Sequence, residues 1–394
     1  MPSPKKFQFA KPAKRGRGGD RWLAVVALVG IGLVVWKLSR PAKPAKKSAP
    51  TVKVEPPPVK VEVSQVRVTI PAPAPVAAST NRTATEIPRV RGADTNGFTT
   101  PLPPETPATA RKPRDVFEAQ VALAQHGISA GSIDGALGSQ TRAALRAFQR
   151  REKLTINGSL DAATRAALAT EVSPLTSYVV TSNDVARLQP LSKTWLGKSQ
   201  QSALDFETLL ELVAEKAHAH PKEIRLLNPS VNWTNIFAGT SLTVPNAAYP
   251  KPTAKAAFVV ISLAEKTLEA FDDGTNLLAH FPCSIAAKVE KRPVGELHVV
   301  AVAPNPNYTF NPEIFPEVPE ARTLTNKLIL QPGPNNPVGA VWISLDKSGY
   351  GMHGTPKPED VGRTESHGCF RLANWNAEFL LKLVWVGMPV RVEP

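Results

Sequence analysis

Tyr350-Gly-Met-His-Gly-Thr355 and, shortly after it, Glu365-Ser-His-Gly-Cys-Phe-Arg-Leu372 carry the strongest chemical signal in the chain. A cysteine attacks as thiolate, so activity at neutral pH needs a nearby base or cation and donors for the oxyanion that forms on the substrate. Cys369 has His353 sixteen residues upstream and His367 two residues upstream. Gly368 permits close backbone approach, and successive N–H groups in such a turn can face an oxyanion. By itself a cysteine with nearby histidines is only suggestive, because such local signatures do not transfer between families.

Outward from this segment, residues 256 to 394 read as short strands: Ala257–Leu263, Thr267–Phe271, His280–Ile285, Glu296–Ala303, Lys327–Leu330, Ala340–Leu345 and Met388–Val392. One helix is expected, Asn374–Leu383, entered through Asn374. The pattern predicts a mainly-β domain with a small helical complement. Pro304 to Pro337 is proline-rich and aromatic, holding Tyr308, Phe310 and Phe315, and such a stretch inside an enzyme reads as a lid or substrate groove.

His353-Gly354-Thr355 followed by Ser366-His367-Gly368-Cys369-x-Arg371-Leu372 resembles the signature of the L,D-transpeptidase catalytic domain of the YkuD type. Pro293-Val-Gly295 and Asn336-Pro-Val-Gly339, each before a strand, support the resemblance, which runs from about Ala256 to Val392. It implies acyl transfer from a peptidoglycan stem peptide. The thiolate attacks the carbonyl at the L-centre of the third residue, the terminal D-amino acid leaves, and the acyl group passes to an amine. An amine on another stem gives an L,D (3-3) cross-link. Water as acceptor, which makes a thiol L,D-carboxypeptidase, and an inactive wall-binding scaffold are the alternatives; the presence of both His353 and Cys369 argues against the second. By position the resemblance implies Cys369 as nucleophile, His353 as general acid/base, the Gly354 carbonyl as its orienter, and His367 and Gly368 in the oxyanion region. Arg371, Ser366 and Tyr308 are expected on the substrate side, with a brace for the loop as the alternative for Arg371. No metal or cofactor is implied. Cys283 reads as a small buried hydrophobe.

Two modules precede this domain. Helical periodicity covers Val116–Gln125, Gln140–Arg150 and Asp161–Leu168, joined by turns at His126-Gly127, Asp134-Gly135 and Asn157-Gly158. Ile133-Asp134-Gly135, Gly138, Thr141, Ala144-Leu145, Phe148-Gln149, Leu154, Gly158, Leu160 and Thr164 resemble the peptidoglycan-binding type 1 domain, including a half-repeat. Asp134 and Thr141 serve either that binding or only turn and helix caps. The second module reads as strand Tyr178–Val180, helices Phe206–Ala219 and Pro221–Leu227, and strand Ser241–Val244, a βααβ order that resembles a LysM glycan-binding repeat. It lacks the usual Gly-Asp-Thr turn and carries an insertion from Ser182 to Phe206. His218 and His220, at i and i+2, point to different helix faces and read as a solvated helix end rather than a metal pair.

The N-terminal part explains the composition. The chain has 394 residues, 39 prolines, two cysteines and a formal charge of +14. Residues 1–60 hold 14 Lys/Arg against Asp20 and Glu55, so the rest is nearly neutral and nucleic acid is not the expected partner. Two cysteines exclude a disulfide scaffold and thiolate-rich zinc sites. Trp22 to Trp36 is free of charge and tryptophan-bounded, and reads as a signal anchor with the C-terminal part outside the cytoplasmic membrane. Fifteen prolines between Pro41 and Pro113 predict an extended spacer. The expected organisation is a basic tail (1–21), a transmembrane anchor (22–38), a Pro-rich spacer (39–114), a peptidoglycan-binding domain (115–170), a LysM-like module (175–247) and a catalytic domain (256–393). A bacterial cell-envelope location follows, with peptidoglycan stem peptides and glycan strands as partners.

Overall fold

The computed structural model describes residues 110–394 except Pro316, Glu365 and His367; the expected tail, anchor and most of the spacer lie outside the described residues. Among the described residues no helix is long and apolar enough to cross a membrane. The first module consists of α1 (Val116–Gln125), α2 (Ser139–Arg151) and α3 (Ala162–Ala167) around Ala119, Leu123, Ala144, Leu145, Phe148 and Leu168. The half-repeat in its sequence recurs in its hydrogen bonds. Gln120 Oε1 accepts from the N–H of Asp134 at 3.1 Å and Gly135 at 2.9 Å, while its Nε2 donates to Asp134 Oδ1 at 2.9 Å and Thr141 Oγ1 at 3.0 Å. Gln149 binds the second turn alike: Oε1 accepts from Asn157 at 3.0 Å and Gly158 at 2.8 Å, and Nε2 donates to Asn157 Oδ1 and Thr164 Oγ1, both at 2.9 Å. Gly135 and Gly158 sit at φ of 69° and 67°, the left-handed region where glycine is least strained. Asp134 and Thr141 thus spend polar atoms on the turn.

The second module runs β1 (Leu175–Val179), α4 (Ser182–Ala186), α5 (Trp195–Ser199), α6 (Leu209–Lys216), α7 (Pro221–Leu227) and β2 (Ser241–Pro245). β1 and β2 pair antiparallel, Leu175 opposite Pro245 and Val179 opposite Ser241. The helix expected from Phe206 begins only at Leu209, because Thr208 and Glu211 form a capping box there. It ends at Lys216, where the chain turns toward the left-handed φ of 54° at His218. The expectation of a solvated helix end is wrong for His218. Its ring lies against Tyr249 (4.8 Å) and Trp375 (5.4 Å, 11°), and burial pulls its pKa down to about 4. His220 instead caps α7, its Nδ1 accepting from Lys222 N at 3.0 Å. No group of three potential metal ligands gathers among the described residues.

The catalytic domain contains β3 (Phe258–Ser262), β4 (Thr267–Phe271), β5 (Leu277–Pro282), β6 (Gly295–Pro304), β7 (Tyr308–Phe310), β8 (Leu328–Leu330), β9 (Val341–Leu345), β10 (Gly351–His353), β11 (Phe370–Arg371), α8 (Asn374–Leu383) and β12 (Pro389–Glu393). Eight strands form one sheet in the order β11-β10-β9-β6-β12-β3-β4-β5. The long β6 joins its two halves: Gly295–His298 pair with β12, and Val299–Pro304 pair with β9 across a bulge at Val299–Ala301. A bulge raises local twist, which curls the sheet there. Ala377, Leu380 and Leu383 of α8 fill the core with Ile261, Ile343, Met352 and Val390. The strand expected at 280–285 lies at 277–282, since beyond Pro282 the chain leaves β4 and Ser284 bridges to Arg371.

Both modules are built into this domain. The first covers the free edge of β5: Ser129 N donates to His280 O at 2.8 Å and His280 N to Gly127 O at 3.2 Å, with Arg150 paired to Glu269 at 2.6 Å. Capping an open edge removes unpaired backbone groups that would template association. The insertion of the second module grips the segment carrying β7 and β8. Trp195 stacks on Phe310 (4.2 Å, 13°), its backbone N–H donates to Glu320, and Leu204 joins Phe310 and Leu330 in one small core. Leu204 N also donates to Pro332 O, and Asn335 N to Leu204 O, both at 2.9 Å. Trp195→Ala is therefore expected to speed amide exchange across residues 308–330 by about tenfold or more while leaving β3 and β4 unchanged, since local opening follows local packing. Mass-resolved hydrogen exchange measures this, and equal protection in both proteins would refute the clamp.

Candidate active site

β10 and β11 pair in parallel, Met352 with Phe370 and His353 with Arg371. Cys369 lies in the turn immediately before β11, so this pairing brings the strand that follows the thiol alongside His353. His353 is 6% exposed, and its Nδ1 lies 2.6 Å from Gly354 O. A carbonyl can only accept, so Nδ1 carries the proton and Nε2 presents a lone pair. On the neighbouring strand Trp342 stacks on the imidazole at 5.4 Å and 25°.

Burial sets the electrostatics. It lowers the His353 pKa to about 4, against the hydrogen bond that Nδ1 donates to Gly354 O and with help from the Arg371 charge, so the imidazole is neutral across the neutral range. Burial also raises the half-buried Cys369 thiol, whose Sγ lies 3.4 Å from Gly349 O. Both the thiol and the imidazole are therefore neutral in the free protein. The Tyr308 hydroxyl on β7 is raised to about 12 by burial, with the Cys369 thiol adding to the shift.

Ser366 is 8% exposed and its hydroxyl is spent inside the turn, donating to Cys369 O at 2.6 Å and accepting from Gly368 N at 3.3 Å. Arg371 Nη2 donates to Thr364 Oγ1 at 3.1 Å, a bond that ties down the loop before the thiol. His367 lies outside the described residues. Cys283 is fully buried, with its thiol pKa pushed upward by that burial.

A family model described as the L,D-transpeptidase catalytic domain matches residues 256–392, and a second, described as "Putative peptidoglycan binding domain", matches residues 112–168. Residues 256–392 form an L,D-transpeptidase catalytic domain. Relatives include "Putative L,D-transpeptidase YkuD" of Bacillus licheniformis, 26% identical over 185 residues, or 47% of this chain and 93% of the relative. "Probable L,D-transpeptidase YbiS" of Escherichia coli K12 is 29% identical over 175 residues, covering 42% of this chain and 53% of its own. Solved structures include an L,D-transpeptidase from Mycobacterium smegmatis (20% identity, TM-score 0.28, 39% of this chain and 65% of that one). Another is from Xylanimonas cellulosilytica (15%, TM-score 0.31, 74% and 100%).

Within the L,D-transpeptidase domain, the residue beside His353 that the sequence pattern did not single out is Asn374. Expected as the way into its helix, it makes no cap; the N-cap position is Ala373. The fully buried Asn374 carboxamide instead accepts from Ala340 N at 3.0 Å and Thr355 N at 3.1 Å. It donates to Pro334 O at 3.1 Å and Glu215 Oε1 at 3.0 Å. A Cβ at Gly339 or Gly354 would collide with its Oδ1, which is why both positions are glycine. The signal available in sequence was a pair of glycines flanking strands, Gly339 two residues before β9 and Gly354 directly after β10, without anything to say what approached them.

Proposed function

We propose that the chain transfers acyl groups from peptidoglycan stem peptides through a thioester at Cys369. The observation that supports the reading is the β10–β11 pairing, which runs the strand directly after Cys369 along His353, an imidazole whose Nδ1 proton is held by Gly354. His353 Nε2 takes the thiol proton as sulfur attacks the carbonyl at the third-residue L-centre. Collapse breaks the peptide bond, and the departing amine of the terminal D-amino acid receives that proton. An acceptor amine then attacks the thioester, gives its proton to His353, and the thiol is restored. The N–H groups of the Gly368–Cys369 turn, with His367, stabilise the oxyanion. In this scheme Tyr308 lines the acyl site, Ser366 shapes the nucleophile turn, and Arg371 braces the loop. The two matched domains point to the cell envelope, with the first module holding glycan and the segment 22–38 anchoring the chain.

Incubating the protein with purified tetrapeptide muropeptides and separating the products by mass tests the reading. Cross-linked dimers identify a transpeptidase, tripeptides a carboxypeptidase, and unaltered tetrapeptides refute both. The pH profile adds a check. The base must be neutral to accept a proton, and its pKa is lowered to about 4, so its competence is lost only as pH falls through that region. kcat/KM is expected to show no acid limb centred near 6.5; a limb there would refute the neutral imidazole.

A further inference from the structure

The His353 loop is held from outside the catalytic domain. Glu215, at the C-terminal end of α6 in the second module, is the acceptor for Asn374 Nδ2 at 3.0 Å. We propose that Glu215 is a positioning residue for the His353–Gly354–Thr355 loop, acting through the carboxamide of Asn374.

This rests on the assignment of His353 as the base and extends it to a residue that neither matched domain contains. The orientation of Asn374 is fixed by its partners: two backbone N–H groups require Oδ1 on one side, and Pro334 O and Glu215 Oε1 require Nδ2 on the other. All four bonds are used. The amide sits so close to Gly339 and Gly354 that neither tolerates a Cβ. Tilting it displaces Thr355 N, and with it the Gly354 carbonyl that holds the Nδ1 proton of His353. Without Glu215 one buried N–H of Asn374 loses its partner, and the amide keeps only Pro334 O to set its tilt on that side.

The surroundings suit the role. Glu215 faces a cavity of about 310 Å³ between the second module and the catalytic domain, also lined by Arg187, Lys216, His218, Trp375 and Glu378. Burial pushes its pKa up to about 8, with Glu378 and Glu211 raising it further and Asn374 and Arg187 opposing. It therefore holds a proton through most of the neutral range and accepts from Asn374 without burying a full charge.

Two full-length variants separate positioning from bulk structure. Glu215→Gln keeps an acceptor oxygen in place; Glu215→Leu keeps the volume and removes the acceptor. Glu215→Leu is expected to lower kcat about tenfold with KM within about twofold, and to slow alkylation of Cys369 by iodoacetamide in parallel, because small misplacements of a base cost rate. Glu215→Gln is expected to retain both. Alkylation needs no substrate and reads Cys369 alone when mapped by mass, since Cys283 is buried. Wild-type kcat and alkylation in Glu215→Leu would overturn the proposal, as would equal losses in both variants. If Cys369→Ala retains turnover, the assignment of the nucleophile fails instead.

Discussion

Cys369→Ala is expected to stop release of terminal D-alanine from tetrapeptide stems, lowering turnover by more than about 10⁴-fold, as removal of a covalent nucleophile does where nothing substitutes for it. No described thiol can substitute: Cys283 is fully buried and its pKa is raised. The change removes one half-buried sulfur whose Sγ contact is a long 3.4 Å hydrogen bond, so the fold should be little affected. Binding to intact sacculi is expected to persist, because Cys369 contributes nothing to the first module's core, which closes on Leu277 of β5. Product separation by mass reads the first effect and co-sedimentation with sacculi the second. Turnover within tenfold of the parent would remove Cys369 from the mechanism.

Asn374→Ala is expected to be the most destabilising single substitution in the catalytic domain, by about 3–5 kcal/mol. It leaves Ala340 N, Thr355 N and Pro334 O without their partner in a buried site, where each orphaned group costs about 1–3 kcal/mol. Thr355 is 5% exposed and Ala340 8%, so water cannot readily repair the loss. The shift of the catalytic-domain transition in denaturant measures it, and a loss under about 1 kcal/mol would show that the carboxamide does not pin these loops. Asn374→Asp should be nearly as costly. It keeps the oxygen toward Ala340 and Thr355 but turns a second carboxyl oxygen onto Pro334 O, two acceptors with no proton between them.

The sequence was legible where a period or a motif was local. Val116–Gln125, Thr267–Phe271, Pro221–Leu227 and Asn374–Leu383 have the bounds their patterns predict. The strands β7, β10 and β11 were missed because they have three, three and two residues, too few to show alternation, and exist only through their partners. α4 and α5 were missed for a related reason: five residues each, in an insertion whose apolar residues pack across onto another module. The proposed nucleophile and base were readable as residue types in a motif. Their support was not, since Trp342, Asn374 and Glu215 reach His353 by strand pairing and hydrogen bonds over more than a hundred residues in the case of Glu215.

The cover over β5 has a temporal side. A chain is made from its N-terminus, and domains tend to fold as units in that order. The residues that pair with the edge, Gly127 to Ser129, belong to a module whose three helices are all made well before Leu277–Pro282 exist. The edge thus meets its cap as it forms. Module order in this chain is then also an assembly order, in which the binding module serves as a resident chaperone for the sheet. A permuted chain with that module last would leave β5 open to another copy for as long as the module took to appear.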